Sequence, residues 1–319
     1  MQILFITATN LGDGILTTGA LDHFIRKYPE AEITVACGPL LTTVFAPAPG
    51  VARVIAMKKE PYAGHWRKLF AQTFFKKWDI VVDMRNSALS RILWAKERHI
   101  WSAHSQTEHK VEQIGKAIGV TTPPPSPTVW LSAESLAKAR ALIPDGSPVL
   151  ALGAAARWPG KTWPAEHFSE LALRLTAPDG PLAGGRIAVF AAPGEEHIAK
   201  PVIDALPADR RIDAIAKTTP LEAAAALSRC TLYVGNDSGL THTAAATGIK
   251  TLGLFGPGYP ALYRPWGKNA AYVATPETVE ELTGYAGYDP ADIKDSLMRS
   301  LTVTAAYDAA VELLQKQTA

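Results

Sequence analysis

Short, unbroken apolar runs alternate with helical patterns along the whole chain, and this alternation constrains the fold more than any other feature. A continuous run of valine, isoleucine, leucine and phenylalanine is typical of a strand that helices cover on both faces. Ten segments, most of them runs of this kind, predict strands, at residues 3–7, 32–36, 53–56, 80–83, 98–101, 149–152, 186–190, 211–213, 232–234 and 251–254. Because helices separate these strands, we expect parallel sheets with right-handed crossovers and an α/β fold.

Helical periodicity fills the segments between the strands. The clearest patterns lie at residues 14–28, 165–175 and 221–228. The last stretch, 291–316, predicts one or two helices, and a helix near 300–319 is free to pack back on the first half of the chain.

Two proline-rich segments divide the chain. Neither 121–127 nor 144–148 can continue a helix or a central strand. We therefore predict two doubly wound, Rossmann-like domains, at residues 1–140 and 146–299. Sheets of this kind bind ligands at the carboxyl ends of their strands, so two facing domains would leave a cleft there.

The composition excludes several classes of protein. With 47% apolar and 19% charged residues among 319, the chain is an ordinary globular protein, long enough for two cores. A net charge of +2 gives no support to a nucleic-acid partner. The two cysteines, Cys37 and Cys230, form no spaced motif, and we expect reduced, buried thiols.

The sequence predicts a cytoplasmic location. The apolar run at residues 1–8 lacks the basic region of a secretory signal, and no run reaches the roughly 20 apolar residues that span a bilayer. This expectation is compatible with peripheral contact at the cytoplasmic face of the inner membrane.

A glycine-containing turn, 10–14, follows the first predicted strand. Glycine lets the backbone approach a ligand, and the start of the next helix favours negative charge. Two interpretations of Asp13 remain open: an N-cap of that helix, or a catalytic carboxylate facing the presumed cleft.

A second loop, 153–164, follows the first strand of the second half. It combines small residues with Arg157 and Lys161, a pairing suited to an anionic ligand. A solvated basic loop is the alternative explanation.

The third loop, 236–248, carries the strongest signal. Asp237, Ser238 and Gly239 stand where a strand feeds a helix of small residues. Exposed backbone N–H groups, a hydroxyl and the positive end of the helix suit a pyrophosphate. His242 fits either this site or the core of the domain.

The stretch 58–78 is rich in lysine, arginine and aromatic residues. One interpretation is a site for an anionic, lipid-linked saccharide or a membrane surface. The other is an amphipathic helix with aromatic residues inward and lysines in water.

The three loops together resemble glycosyltransferase family 9, the lipopolysaccharide heptosyltransferases of GT-B architecture. The resemblance covers nearly the whole chain and rests on three motifs in the family's order, LGDGILTT at 11–18, KTWP at 161–164 and DSGLTHTAAA at 237–246, with LFGP at 254–257 downstream. The third motif is the specific one. The segments 248–250 and 258–259 depart from the family pattern, which leaves the donor sugar and the acceptor open.

The resemblance implies roles for individual residues. It makes Asp13 the general base and places the acceptor in the N-terminal half, where Gly12 and, from the basic stretch, Arg67 and Lys68 are the acceptor candidates. It assigns the donor to Lys161, Asp213, Asp237, Ser238, Gly239 and His242, with Asp213 at the ribose hydroxyls.

The expected reaction is inverting transfer of a sugar from a nucleotide-sugar donor, with heptose from ADP-heptose as the implied donor. The expected acceptor is a lipopolysaccharide-core or related saccharide, lipid-linked or free. No Asp-x-Asp or zinc spacing occurs, so neither a metal nor a cofactor is expected. Two alternatives are a sugar-nucleotide epimerase of the same architecture and a non-catalytic nucleotide-sugar-binding protein.

Overall fold

The computed structural model describes residues 1–102 and 105–316. The chain forms two compact units, Met1–Ser132 and Ala133–Ala319. The division falls earlier than the sequence-based boundary at 140–146, because the helix that begins at Ala133 packs within the second unit. There Lys138 bridges to Glu222, at 2.6 Å between Nζ and Oε1.

The first unit is a parallel sheet with helices between its strands. Its strands are β1 (Gln2–Ile6), β2 (Glu32–Cys37), β3 (Val51–Ala56), β4 (Trp78–Asp83) and β5 (Ala95–Ile100). Its helices are α1 (Leu11–Leu16), α2 (Thr18–Lys27), α3 (Thr42–Phe45), α4 (Gly64–Thr73), α5 (Leu89–Ile92) and α6 (Lys110–Ala117). The strand order is β3-β2-β1-β4-β5, so β1 and β4 are central neighbours.

The second unit repeats this topology with one more strand. Its strands are β6 (Val149–Gly153), β7 (Arg186–Ala191), β8 (Arg211–Ile215), β9 (Leu232–Asn236), β10 (Lys250–Phe255) and β11 (Ala270–Ala274). Its helices are α7 (Ala133–Leu142), α8 (Ala165–Leu175), α9 (Glu196–Asp204), α10 (Pro220–Leu227), α11 (Gly239–Ala246), α12 (Pro260–Tyr263), α13 (Val279–Thr283) and α14 (Val303–Gln315). The order is β11-β10-β9-β6-β7-β8, all parallel.

The prediction of two doubly wound α/β units is confirmed, since both sheets are parallel and have the Rossmann strand order. Each of the ten predicted strands is present with small shifts at its ends. Strand β11 was missed because three of its five residues are alanine, which has a weak strand preference, and it lies at the sheet edge. Among the described helices, none combines the length and apolar character needed to cross a membrane.

One helical prediction needs correction. The pattern at 14–28 forms two helices, α1 and α2, because Thr17 turns the chain between them and donates its hydroxyl to the Gly14 carbonyl at 2.7 Å. The prediction of one or two helices in the final stretch is confirmed, since this stretch forms one helix, α14. It packs on α8, β10 and β11 of its own unit, where Lys250 Nζ donates to the Leu314 carbonyl at 2.5 Å, and the sequence had left it free to pack on the first domain.

Two glycines make room for a buried tyrosine at the centre of the second sheet. Gly153 on β6 pairs with Gly235 on β9. A Cβ on either glycine would overlap the hydroxyl of Tyr233, because the ring lies along the sheet over both. The hydroxyl reaches Thr241 Oγ1 of α11 at 3.1 Å. The glycine pair therefore lets one side chain connect the sheet to the start of α11.

We expect Gly153→Ala to destabilise the second unit by about 1–3 kcal/mol, because the new methyl group overlaps the Tyr233 hydroxyl. Denaturant unfolding measures this cost. In a Tyr233→Phe background the same substitution should cost less, since the overlapping oxygen is gone. An equal cost in both backgrounds would contradict the proposed contact.

Candidate active site

Three loops meet at the carboxyl edge of the second sheet, after the neighbouring strands β6, β9 and β10. The fully buried amide of Asn236, at the end of β9, joins the first two. Its Nδ2 donates to the Ala154 carbonyl at 2.9 Å, and its Oδ1 accepts from the N–H of Trp163 at 3.0 Å. The loop after β6 is thereby fixed against the end of β9.

Lys161 and Asp237 form an ion pair between the same two loops. Lys161 Nζ donates to Asp237 Oδ2, and their side chains are 24% and 9% exposed. The third loop lies against this pair, because a Cβ on Gly258 would be 2.5 Å from Asp237 Oδ2 and 3.2 Å from Lys161 Nζ. The backbone at Gly258 thus covers one side of the ion pair, and the lysine side chain remains partly exposed to solvent.

Hydrogen bonds from strand β9 fix the start of α11. Thr241 Oγ1 donates to the Asn236 carbonyl at 2.5 Å, and the buried hydroxyl of Tyr233 lies 3.1 Å from the same Thr241 oxygen. Ser238 is the N-cap and makes no side-chain cap bond to the helix. The amino end of α11 therefore keeps N–H groups for an anionic ligand.

His242 lies on the buried side of the first turn of α11 and is only 5% exposed. The backbone N–H of His242 donates to the Ser238 carbonyl at 3.4 Å. The structure thus places His242 next to the loop and within the core at once, so the two sequence-based interpretations do not exclude each other.

Asp213 is not brought together with these residues. It lies on β8, which β6 and β7 separate from β9. Its carboxylate accepts from Lys217 Nζ at 2.6 Å and from the Ile215 N–H at 3.0 Å. Partial burial alone would raise the pKa of Asp213, but these two hydrogen bonds outweigh it, and the pKa is lowered.

Glu195 is a candidate that the sequence analysis did not select. It follows β7, the strand beside β6, and its Oε2 accepts from the Ala192 N–H at 2.9 Å. Burial raises the pKa of Tyr233, and the negative charge of Glu195 adds to the rise, so the carboxylate lies within electrostatic reach of the loops. A polar turn after the predicted strand 186–190 was the signal that could have revealed it.

In the first unit, Asp13 is the third residue of α1. The N-cap is Asn10, so the interpretation of Asp13 as an N-cap is wrong. Asn10 Nδ2 lies 3.5 Å from the Asp13 carboxylate, which is exposed. Gly14 allows this close turn, because a Cβ there would overlap the side chain of Leu41. Asp13 and the adjoining Gly12 thus stand at the carboxyl edge of β1, open to a ligand.

The middle of the basic stretch, α4, is an ordinary amphipathic helix. The aromatic residues of the stretch pack on the first core, apart from Tyr62 and Phe75, which are 93% and 92% exposed. Arg67 and Lys68 are both exposed on α4. Lys68 Nζ lies 2.5 Å from Glu60 Oε1. Of the two predicted acceptor cations, Arg67 is therefore the one without a carboxylate partner in the described part of the chain.

Within residues 1–102 and 105–316, no three histidine, cysteine, aspartate or glutamate side chains cluster as metal ligands would. The candidate site is built instead from an ion pair, backbone N–H groups and single carboxylates.

A family model, glycosyltransferase family 9 (heptosyltransferase), matches residues 69–283, which is most of the chain. The chain belongs to this family and is a glycosyltransferase. The match includes all three loops of the second unit, so the family resemblance carried by those motifs is confirmed.

Curated relatives agree with the family. Lipooligosaccharide heptosyltransferase 2 of Haemophilus influenzae is 26% identical over 319 aligned positions, covering 86% of this chain and 88% of the relative. Lipopolysaccharide heptosyltransferase 1 of Pseudomonas aeruginosa is 25% identical over 317 positions, covering 86% and 84%.

Solved structures share the fold. A family 9 glycosyltransferase from Veillonella parvula has a TM-score of 0.79 at 22% identity, covering 99% of this chain and 97% of that one. The E. coli ADP-heptose LPS heptosyltransferase II has a TM-score of 0.77 at 19% identity, with 98% of each chain covered.

We expect Lys161→Met to weaken donor binding by about 10- to 100-fold, because a charge-assisted bond to phosphate is lost. It should also destabilise the protein by at least about 2 kcal/mol, since the nearly buried Asp237 carboxylate loses its cation. Calorimetric titration and denaturant unfolding measure the two effects. Adding Asp237→Asn should restore stability and leave donor binding weak.

The matched control is Lys217→Met, which removes a lysine from the exposed pair with Asp213. Stability should change by less than about 1 kcal/mol, as for other surface pairs, and donor affinity should stay at the wild-type value. Equal losses of donor affinity in the two variants would contradict a donor site centred on Lys161.

Proposed function

We propose that this enzyme transfers a heptose from ADP-heptose to a lipopolysaccharide-core or related saccharide. The observation that carries the proposal is the Lys161–Asp237 pair beside the open amino end of α11. Similar proteins support the same proposal, since one solved E. coli neighbour is an ADP-heptose LPS heptosyltransferase and another, the E. coli heptosyltransferase WaaC, was solved with ADP.

The donor diphosphate lies, in this proposal, across the N–H groups of Ser238–His242 and against Lys161. Lys161 exchanges part of its contact with Asp237 for a phosphate oxygen. The dipole of α11 and the lysine together stabilise the charge that grows on the leaving ADP, without a metal ion. The ribose hydroxyls are assigned to a carboxylate after β7 or β8; Asp213 is the sequence-based candidate, and Glu195 lies one strand nearer.

The acceptor hydroxyl attacks the anomeric carbon of the heptose from the face opposite the phosphate. Asp13 takes the hydroxyl proton as the new C–O bond forms. The bond from the anomeric carbon to the β-phosphate oxygen breaks, and ADP leaves with its electron pair. A single in-line displacement of this kind inverts the anomeric configuration. Gly12 and Arg67 are the proposed acceptor contacts, with Lys68 held nearby by Glu60.

Family membership favours transfer over the two alternatives drawn from sequence. An epimerase would convert the donor with no acceptor present, and a binding protein would not turn it over. Incubation with ADP-heptose alone, and then with heptose-deficient lipopolysaccharide, separates these cases by release of ADP. ADP release that requires the acceptor supports the proposal.

We expect Asp13→Asn to lower the rate of transfer by about 10²–10⁴-fold, because the general base is lost. Donor affinity should remain unchanged, since Asp13 belongs to the acceptor half. Single-turnover kinetics and donor titration test the two parts. Glu30→Gln, which removes an exposed carboxylate elsewhere in the first unit, is the control and should keep full activity. Transfer near the wild-type rate in Asp13→Asn would refute the assignment.

We also infer peripheral contact with the inner-membrane surface, through the loop after β3. Tyr62 in this loop is 93% exposed. Lys58, Lys59 and Arg67 form no ion pair with any residue that the structure describes. An exposed aromatic ring amid unpaired cations suits the interface of an anionic bilayer. The contact would bring a lipid-linked acceptor to the edge of the sheet that carries Asp13.

Combining Tyr62→Ser with Lys58→Gln and Lys59→Gln should weaken binding to phosphatidylglycerol vesicles by at least about tenfold, because two cations near the surface are lost. Co-sedimentation measures the partition. The control replaces Lys76 and Lys77 by glutamine at the other end of α4. A loss in the control, with none in the loop variant, would contradict this placement.

A further inference from the structure

The loop after β4 holds Arg85 at the carboxyl edge of the first sheet. The buried carboxylate of Asp83 accepts from the N–H of Arg85 at 2.8 Å. The N–H of Met84 donates to the carbonyl of Ile6, at the end of β1, also at 2.8 Å. The chain leaving β1 leads directly into α1, which carries Asp13. Neighbouring strands lie about 4.8 Å apart. Arg85 and Asp13 therefore follow adjacent strand ends.

The guanidinium of Arg85 has no anionic partner in the described residues. Its Cζ lies 5.1 Å from the ring centre of Trp66, and Nη1 is buried without a hydrogen-bond acceptor among them. Nearby arginines differ: Arg91 donates to the Ser87 carbonyl at 3.0 Å, and Arg98 to the Leu93 carbonyl at 2.6 Å. A buried N–H of a guanidinium without an acceptor is costly, and a bound anion would remove that cost.

Lys110 supplies a second cation at the same edge. It begins α6, and its Nζ lies 5.0 Å from the ring centre of Trp101, the residue after β5. Burial lowers the pKa of Lys110, and the negative charge of Asp13 opposes that shift, which places the ammonium within electrostatic reach of the carboxylate. The N–H of Trp101 donates to the Asp83 carbonyl at 3.0 Å, so this residue and the Arg85 loop are joined.

We propose that Arg85 and Lys110 form a subsite for an acidic group of the acceptor, a carboxylate or a phosphate, beside the hydroxyl that Asp13 deprotonates. The proposal rests on the proposed function and adds a specificity determinant to it. The planar guanidinium makes two parallel hydrogen bonds to such a group, and Lys110 adds a point charge. The rings of Trp66 and Trp101 back the two cations and offer apolar faces to a sugar ring.

Direct binding tests the subsite without any turnover. The probes are methyl β-glucuronide, glucose 6-phosphate and the neutral methyl β-glucoside, each titrated into the full chain and followed by NMR. The variants are Arg85→Met, Arg85→Lys and Lys110→Met. Lys77→Met removes an exposed lysine of the same unit and is the matched control. Each titration is repeated in Lys161→Met, so that binding of phosphate at the donor loop is recognised.

We expect at least one acidic probe to bind about tenfold tighter than the neutral sugar, and this preference to disappear in Arg85→Met and fall in Lys110→Met. It should persist in Lys77→Met and Lys161→Met and partly in Arg85→Lys. Preference for one acidic probe over the other identifies carboxylate or phosphate as the group. In transfer assays, Arg85→Met should raise the KM for acceptor and leave the KM for donor unchanged.

Equal binding of acidic and neutral probes, or an unchanged preference in Arg85→Met, would overturn the subsite. Either result can occur with full transfer activity in the wild type. Conversely, absent transfer with an intact acidic preference would refute the proposed function alone.

Discussion

The buried amide of Asn236 is the interaction on which the candidate site of the second unit depends. A primary amide has two donors and two acceptor positions on one planar group, so it can satisfy an N–H and a carbonyl from the same loop. Here it does so for Trp163 and Ala154, while its own carbonyl accepts from Thr241. Because the residue is fully buried, loss of either bond would leave a polar group without water. The geometry of two loops and one helix start is thereby set by one side chain.

The C-terminal segment extends this constraint. The indole N–H of Trp163 donates to the Leu301 carbonyl at 2.8 Å, and the N–H of Leu297 donates to the Gly160 carbonyl at 3.2 Å. Met298 packs where a Cβ on Gly256 would stand, at 2.5 Å from its Cγ. The segment before α14 thus supports the loop after β6 and the loop after β10. Rigid support of this kind keeps Lys161 and the N–H groups in place before a ligand arrives, which lowers the cost of ordering them on binding.

Much of the fold and of the candidate site could be predicted from the sequence. The features that could not be predicted have physical causes. Buried parallel strands can be predicted because both of their faces pack against helices and are therefore apolar. Strand β11 could not, because it is an edge strand of mostly alanine. The helix start at 239 was visible because it needed small residues beside a strand end. The distance of Asp213 from the loops could not be predicted, because the spacing of strands along the chain does not give their order in the sheet: β8 is near β9 in sequence but three positions from it in the sheet. For the aromatic residues of α4 the sequence left two interpretations open, and the packing of Trp66 and Phe70 on the first core shows that they face inward.

Both units place their candidate residues at the same topological position. In each sheet the chain reverses its direction of winding between two central strands, β1 and β4 in the first and β6 and β9 in the second. Loops leaving such a pair turn to opposite faces and leave a crevice between them. In the second unit, backbone N–H groups and one ion pair line this crevice, which suits a diphosphate that must be released. In the first unit, Asp13 and Arg85 follow the two central strands. The candidate groups there are side chains and not backbone N–H groups. The proposed mechanism requires a side-chain carboxylate there, because a base must accept the proton of the acceptor hydroxyl and backbone N–H groups cannot accept one.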